Sequence, residues 1–373
     1  MLLAYSYGNS QNDLRNDIDS IDFTGQLSAL NHYNFSNSNT FYFNLRYIPE
    51  LNYEIGLSKS RKIYFELSGN FYSNLTMDFD GLNELEMKAK PYRAWVRYST
   101  NNFELRAGLQ KINFGSAMIL RPLMWFDKID PRDPLQLTDG VYGVLGRYYF
   151  KNNANIWLWS LYGNGELRGW EFMKTDKKVP EYGGRIQLPL STIGEIGLSF
   201  HHRKAYNDIF IQDENEFLEN KVGFDFKIDY EIGFWFEGTW VHKQLENFPF
   251  KNQESMVLGS DYTFGIGNGL NVVFEHLVFS LDAKAFEFND PVNFSAISLN
   301  YPIGLFDNAS TIFYFDWKNK NVYSFINWQR TFDKTKLNIM AYWNPENYNF
   351  PIANNNIDIL GGKGIIVLYT FNH

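Results

Sequence analysis

Between residues 41 and 57, one side of the chain reads Phe41, Phe43, Leu45, Tyr47, Leu51, Tyr53, Ile55 and Leu57. The other side reads Tyr42, Asn44, Arg46, Glu50, Asn52 and Glu54. Successive side chains of a strand point to opposite sides, so a period of two held this long predicts one strand with an apolar and a polar face. Strands of globular domains run about five or six residues, whereas a tilted strand crossing a bilayer needs about nine to eleven plus its flanks. The alternation recurs to the end of the chain. The fold class is therefore read as all-β, a transmembrane antiparallel up-and-down β-barrel.

Composition bounds this reading. The chain has 373 residues, 18% aromatic and 20% charged, with no cysteine. Such a length suggests roughly two or three soluble domains, but one closed sheet absorbs all of it, so a single barrel over 21–371 is expected. Mean hydropathy is -0.35, and no apolar run of about twenty residues occurs, which excludes helical spans. Lack of cysteine suits passage through an oxidising periplasm, and equally suits many cytosolic proteins. A net charge of -8 without a basic cluster argues against nucleic acid as a partner.

Period-two counting gives about eighteen strands, or sixteen if two weak ones are miscounted. Apolar faces include Phe23, Leu27, Ala29 and Tyr33, then Ile63, Phe65, Leu67 and Phe71, then Val222, Phe224, Phe226, Ile228 and Tyr230. Gln26, Ser28, Glu66, Asn70, Asp225 and Lys227 fall on the polar faces. Tight turns are expected at 58–61, 99–102, 151–154 and 267–269. Longer connections are expected at 76–89, 111–139, 166–180, 204–215, 281–290 and 345–358. Short periplasmic turns opposite long extracellular loops are the habit of bacterial outer-membrane barrels, and termini on the short-turn side require an even strand number.

The last strand places Ile365, Val367, Tyr369 and Phe371 on the lipid face. It resembles the C-terminal assembly signal of outer-membrane barrels, although Asn372 and His373 follow the aromatic. Residues 1–20 lack a charged n-region and a full h-region. They are either the stump of a signal peptide that starts upstream or an ordinary mature N-terminus with an added Met. Partners expected of such a chain are outer-membrane lipid, lipopolysaccharide and the barrel-assembly machinery, in a Gram-negative cell envelope.

A barrel this wide holds an aqueous channel unless something fills it. Passage of small or oligomeric polar solutes, including anions, is the expected function, without a cofactor. Inward charges would set selectivity. Arg93, Arg97, Arg106, Arg147, Arg185 and Arg203 fall on polar faces of one wall. Asp225, Asp229, Glu237, Asp261, Glu275 and Asp316 fall on the opposite one. A basic arc facing an acidic arc would put a transverse field across the lumen; alternatively the residues pair as solvated lumen salt bridges.

Residues 111–139 form the longest irregular stretch. Met118, Ile119, Leu120, Leu123, Met124, Trp125 and Phe126 make it too apolar for a free loop. Folded into the lumen, it would narrow the pore and bring Arg121, Lys128 and Arg132 beside Asp127, Asp130 and Asp133. The alternatives are an external cap, or a surface for a protein partner at the extracellular loops. In that second case the barrel would be a non-conducting structural or docking subunit of an outer-membrane complex.

Gly108-Leu109-Gln110-Lys111-Ile112-Asn113-Phe114-Gly115, followed by a Pro- and Asp-rich loop and then 143–150, resembles porin-like channels related to alginate-export proteins. That resemblance implies an eighteen-strand barrel with an arginine-lined lumen for an anionic polysaccharide, with Arg93, Arg97, Arg106, Arg147 and Arg185 lining the pore. Usage of Asn, Phe, Tyr and Lys resembles that of Bacteroidota.

No enzyme is expected. Barrel hydrolases need a His beside a nucleophile at the rim. His201 and His202 point to opposite faces, His276 falls on the lipid phase, and His32 and His242 lie near strand ends. Asp127, Asp130, Asp133 and Asp139 lack the spacing of an EF-hand loop. Gly163-Asn164-Gly165 has no helix after it to cradle a phosphate.

Overall fold

The computed structural model describes residues 19–36, 40–78, 81–206, 216–245, 248–346 and 360–373. Among them are nineteen strands: β1 (Ser20–Asn34), β2 (Thr40–Ser58), β3 (Arg61–Asp78), β4 (Gly81–Ser99), β5 (Phe103–Gln110), β6 (Val141–Tyr149), β7 (Asn155–Leu161), β8 (Lys174–Thr175), β9 (Glu181–Leu190), β10 (Gly194–Tyr206), β11 (Glu216–Asp229), β12 (Gly233–Lys243), β13 (Asn252–Phe264), β14 (Leu270–Asp282), β15 (Val292–Pro302), β16 (Asp307–Asp316), β17 (Asn321–Thr331), β18 (Thr335–Trp343) and β19 (Lys363–Asn372). The two-residue β8 pairs only with the end of β10. The other eighteen form one antiparallel ring.

Ring closure joins β19 to β1, with Leu27 opposite Phe371 and Ala29 opposite Tyr369. Gly25 and His373 then exchange backbone hydrogen bonds of 3.1 and 3.0 Å, so the residues after the terminal aromatic extend the ladder. Closure leaves no free edge, which a bilayer requires because lipid cannot satisfy backbone N–H and C=O groups. Both chain ends of the ring, Ser20 and Asn372, lie on the rim of the short turns.

Burial is inverted relative to a soluble protein. Leu67, Leu198 and Leu258 are 60, 54 and 60% exposed, while Asp225, Glu237 and Glu275 on the opposite faces of β11, β12 and β14 are 0% exposed. The apolar face looks outward, where hydrocarbon takes the place of a protein core.

One connection differs from expectation. Residues 76–89 are not a loop, because β3 runs to Asp78 and β4 starts at Gly81, directly opposite. Glu84, Glu86, Lys88 and Lys90 simply alternate with Leu85 and Met87, which are exposed outward. The expected N-terminal segment up to residue 18, and the parts of two expected loops at 207–215 and 347–359, lie outside the described residues.

Candidate functional site

Residues 111–140 leave β5, cross the barrel interior without regular structure and return to β6. Of the apolar side chains expected to need burial, Ile119, Leu120, Leu123, Met124, Trp125 and Phe126 are buried, whereas Met118 is 42% exposed. Ile119, Leu120 and Met124 pack with Trp235, Val257, Leu277 and Phe294 of the far wall. Phe114, Leu123, Trp125 and Phe126 pack with Leu145 and Trp159 of the near one.

Inward carboxylates hold the loop backbone in place. Glu275 accepts the amides of Met118, Ile119 and Leu120 at 2.6, 3.1 and 2.6 Å, and the Trp235 indole at 3.0 Å. Glu237 accepts Ala117 and Leu123 amides at 2.8 and 2.5 Å. Hydrogen bonds to a charged acceptor contribute roughly 1.5–3 kcal/mol each, and a coil has many amides to satisfy. Gly115 is required here: its φ is +106°, and a Cβ would stand 2.4 Å from a Glu237 oxygen. Trp125 donates its indole N–H to Thr239 at 3.2 Å, and Arg121 grips Asp127 at 2.8 and 3.2 Å.

Beyond Asp127 the loop turns back. Thr138 Oγ1 accepts the Lys128 amide at 2.9 Å. Asp130 pairs with Arg132 at 2.6 Å, and the Arg132 guanidinium lies over Phe325 of β17 at 5.2 Å. Asp133 caps Leu135 and Leu137. The loop finishes against β4, where Lys90 pairs with Asp139 at 2.7 Å and Arg93 donates to the Thr138 carbonyl at 2.9 Å.

A second segment, 162–173, also folds inward, and it interlocks with the first. Trp170 donates to the Arg121 carbonyl at 2.8 Å and stacks on Phe279. At Gly169, with φ +46°, a Cβ would collide with the Met124 carbonyl oxygen at 1.6 Å, so only glycine allows this approach. Beneath it lies a buried ionic network. Arg168 pairs with Glu181 and Glu171 at 2.6 and 3.3 Å, Arg203 with Glu219 and Glu171 at 2.6 and 3.0 Å, and Lys221 with Glu171 at 2.6 Å. His201 joins through Glu181 at 3.1 Å, while His202 faces outward to Asn220.

The expected basic and acidic arcs are corrected by this arrangement. Arg185 is consumed by Asp225 at 2.6 and 2.9 Å, and Ser116 of the loop also donates to Asp225 at 3.2 Å. Arg203 belongs to the buried network, and Glu237 and Glu275 cap the loop. These side chains face inward yet are covered, because an uncompensated carboxylate or guanidinium on that wall would be desolvated by the apolar loop. Asp316 caps the turn at Lys318 and Asn319. Asp229 pairs with Lys227 at 3.1 Å at the short-turn rim, and Asp261 lies opposite Gly233 there.

On the other wall Arg97, Arg106 and Arg147 stay partly exposed. Arg97, Arg106 and Arg147 surround Glu104, and Arg93 stacks on Tyr92. Three further cations extend this wall toward the long-loop rim: Arg46 over Tyr72 at 4.9 Å, Lys90 at 5.9 Å from the same ring, and Lys88 opposite it in register. Arg46 continues the polar face read from the sequence, and a bulge explains Lys88 and Lys90. Ser68 is opposite Arg93 but Gly69 is opposite Pro91, so Tyr92 is an extra residue and inward parity switches from even to odd along β4. The only sequence signal was Pro91 inside a strand pattern.

No protein-family profile and no curated protein sequence matches the chain. Solved structures do. OccAB4 of Acinetobacter baumannii gives a TM-score of 0.58 at 9% identity, over 95% of this chain and 98% of that one. The anion-selective porin from Comamonas acidovorans gives 0.50 at 11% identity, over 95 and 100%. The outer-membrane protein OmpT of Vibrio cholerae, in trimer form, gives 0.50 at 10% identity, over 96 and 100%. The likeness is one of fold. The chain is a closed eighteen-strand antiparallel barrel of the outer-membrane porin type.

Proposed function

We propose that the protein is a channel of a Gram-negative outer membrane through which polar solutes diffuse passively, with anions favoured. The observation that carries this reading is the wall of β2–β6, where Arg46, Lys88, Lys90, Arg93, Arg97, Arg106 and Arg147 face the interior among several carboxylates, and where Arg97, Arg106 and Arg147 gather around one of them, Glu104, and stay partly exposed. Such a wall raises the local concentration of anions through its field. The loop at 111–139 narrows the lumen, and Arg121, Trp125, Asp127, Lys128, Asp130, Arg132 and Asp133 fix its course. One barrel of similar fold is described as an anion-selective porin, and the resemblance of 108–115 to alginate-export relatives makes acidic saccharides a solute class to try. Lipopolysaccharide and lipid surround the outward apolar face, and the assembly machinery inserts it.

The rival reading, a non-conducting docking subunit, needs residues 116–126 free at the rim. Their burial against Glu237 and Glu275 favours the channel. Single-channel recording of the refolded protein in a planar bilayer under a salt gradient tests this. Steady conductance with an anion preference that falls when Arg93, Arg97, Arg106 and Arg147 are changed to Ala is expected. Silence in both the intact protein and a variant lacking 116–134 would overturn it.

A further inference from the structure

Toward the short-turn rim, the basic wall ends in an arrangement that stability alone would select against. Arg97 of β4 sits directly opposite Arg106 of β5, and like charges across strands repel. Arg147 of β6 is opposite Glu104. Three guanidiniums thus converge on one carboxylate. Arg106 hydrogen-bonds it at 2.9 Å, but Arg97 and Arg147 reach it only at 3.9 and 4.0 Å. In all three arginines, Nε is buried without a hydrogen-bond partner among the described residues.

Aromatic rings hold these cations without neutralising them. Arg106 lies 4.5 Å over Trp95, Arg147 3.8 Å over Trp157, and Arg97 5.1 and 5.6 Å over Tyr64 and Trp95. Stacking fixes the guanidinium planes and leaves their charge available. The neighbouring Glu66 bonds Trp95 and faces Arg93 and Arg106, with Glu50 beside it, so four arginines meet three carboxylates, of which only Glu104 lies among Arg97, Arg106 and Arg147. The side chains of Arg97, Arg106, Arg147 and Glu104 are 31, 14, 17 and 14% exposed, so the group is partly shielded and still reachable from the lumen.

We propose that Arg97, Arg106 and Arg147 form a binding site for a tetrahedral oxyanion, a phosphate or sulfate group either free or carried on a solute, and that Glu104 is a tethered competitor for it. A carboxylate offers two oxygens and is bound to one strand. A doubly charged tetrahedral anion offers enough oxygens to engage all three forks at once. Chloride cannot satisfy that geometry. Glu104 therefore sets a threshold that weakens monovalent anions most and keeps the bound ligand exchangeable, as a conducting site must be. This deepens the channel reading, but binding at the site does not require conduction.

The test titrates intrinsic tryptophan fluorescence of the refolded full chain in detergent with inorganic phosphate, and separately with glucose 6-phosphate, at pH 8 and constant ionic strength. Trp95 and Trp157 are the reporters. A saturable change is expected that chloride does not produce, and that shrinks in Trp157→Phe. Glu104→Gln should lower the half-saturating phosphate concentration about tenfold, the size of one charge-assisted contact. Arg106→Lys, which keeps the charge and loses the fork, should raise it by a similar factor while heat-modifiable migration shows an intact barrel. No saturation, or an unchanged half-saturation in Glu104→Gln, overturns the site. Tighter binding of the ester assigns the group to a carried solute and equal binding assigns it to the free anion; both support the site. Chloride conductance without phosphate saturation would overturn the site and spare the channel. Phosphate saturation in a silent barrel would do the reverse.

Discussion

The two halves of the inner wall treat charge in opposite ways. Along β9–β14 the inward charges beneath the two folded-in segments are matched and covered: Arg185 by Asp225, Arg203 by Glu219 and Glu171, and Glu237 and Glu275 by loop amides. Along β2–β6 charges of both signs share the inner face, Lys88 pairing with Glu86 and Lys90 with Asp139, while Arg97, Arg106 and Arg147 stay partly exposed and lie against aromatic rings around the single carboxylate Glu104. The first half is scaffold. Its charges give directional contacts that a coil can dock on, and the coil in turn takes them out of solution. The second half has no such cover, so its charge acts on whatever enters the lumen.

The largest expected effect breaks the covered half. Glu275→Ala leaves two buried amides, a part-buried one and an indole without their acceptor, which should cost about 3–5 kcal/mol of loop anchoring. Residues 116–126 should become protease-sensitive and conductance should rise; unchanged protection would mean that the carboxylate does not hold the loop. Next comes the interlock. Gly169→Ala should cost about 1–3 kcal/mol from overpacking against the Met124 carbonyl, read as a lower melting temperature in detergent. Gly165→Ala is the control, since a Cβ there meets nothing nearer than 3.7 Å.

A smaller effect depends on pH. Burial pushes the Asp133 carboxyl up, against the pull of the Leu135 and Leu137 amides, which favour its charged form. A carboxylate whose folded value is raised contributes fully below its unfolded value and loses that contribution as pH rises through the folded one. Protection of 127–139 should therefore weaken as pH climbs through that window, and Asp133→Asn should flatten the profile. Smallest of all is Lys62→Ala. Its pair with Glu54 at 2.5 Å is solvent-exposed, so unfolding by urea should shift by no more than about 0.5 kcal/mol.

Much of the barrel was legible as period-two text. Leu27, Ala29, Tyr369 and Phe371 share an outward face at the closing seam because parity alone puts them there. Burial of Leu120, Trp125 and Phe126 was legible too, since no free loop carries so much apolar surface. Parity could not show Lys88 and Lys90 on the same wall as Arg93 and Arg97, because Tyr92 changes the phase midway along β4. Nor could it show that Asp225 and Glu237 are covered, because their partners, Ser116 and the amides of Ala117 and Leu123, are 109, 120 and 114 residues away.

By itself the sequence determined a closed antiparallel barrel and the outward side of most strands, because alternation is a local property of the backbone that only a bulge such as that in β4 interrupts. Only the tertiary structure decided which inward charges stay open, because that depends on where two irregular segments come to rest. Their path is set by buried carboxylates and glycine-sized gaps on distant strands, and no local pattern encodes it.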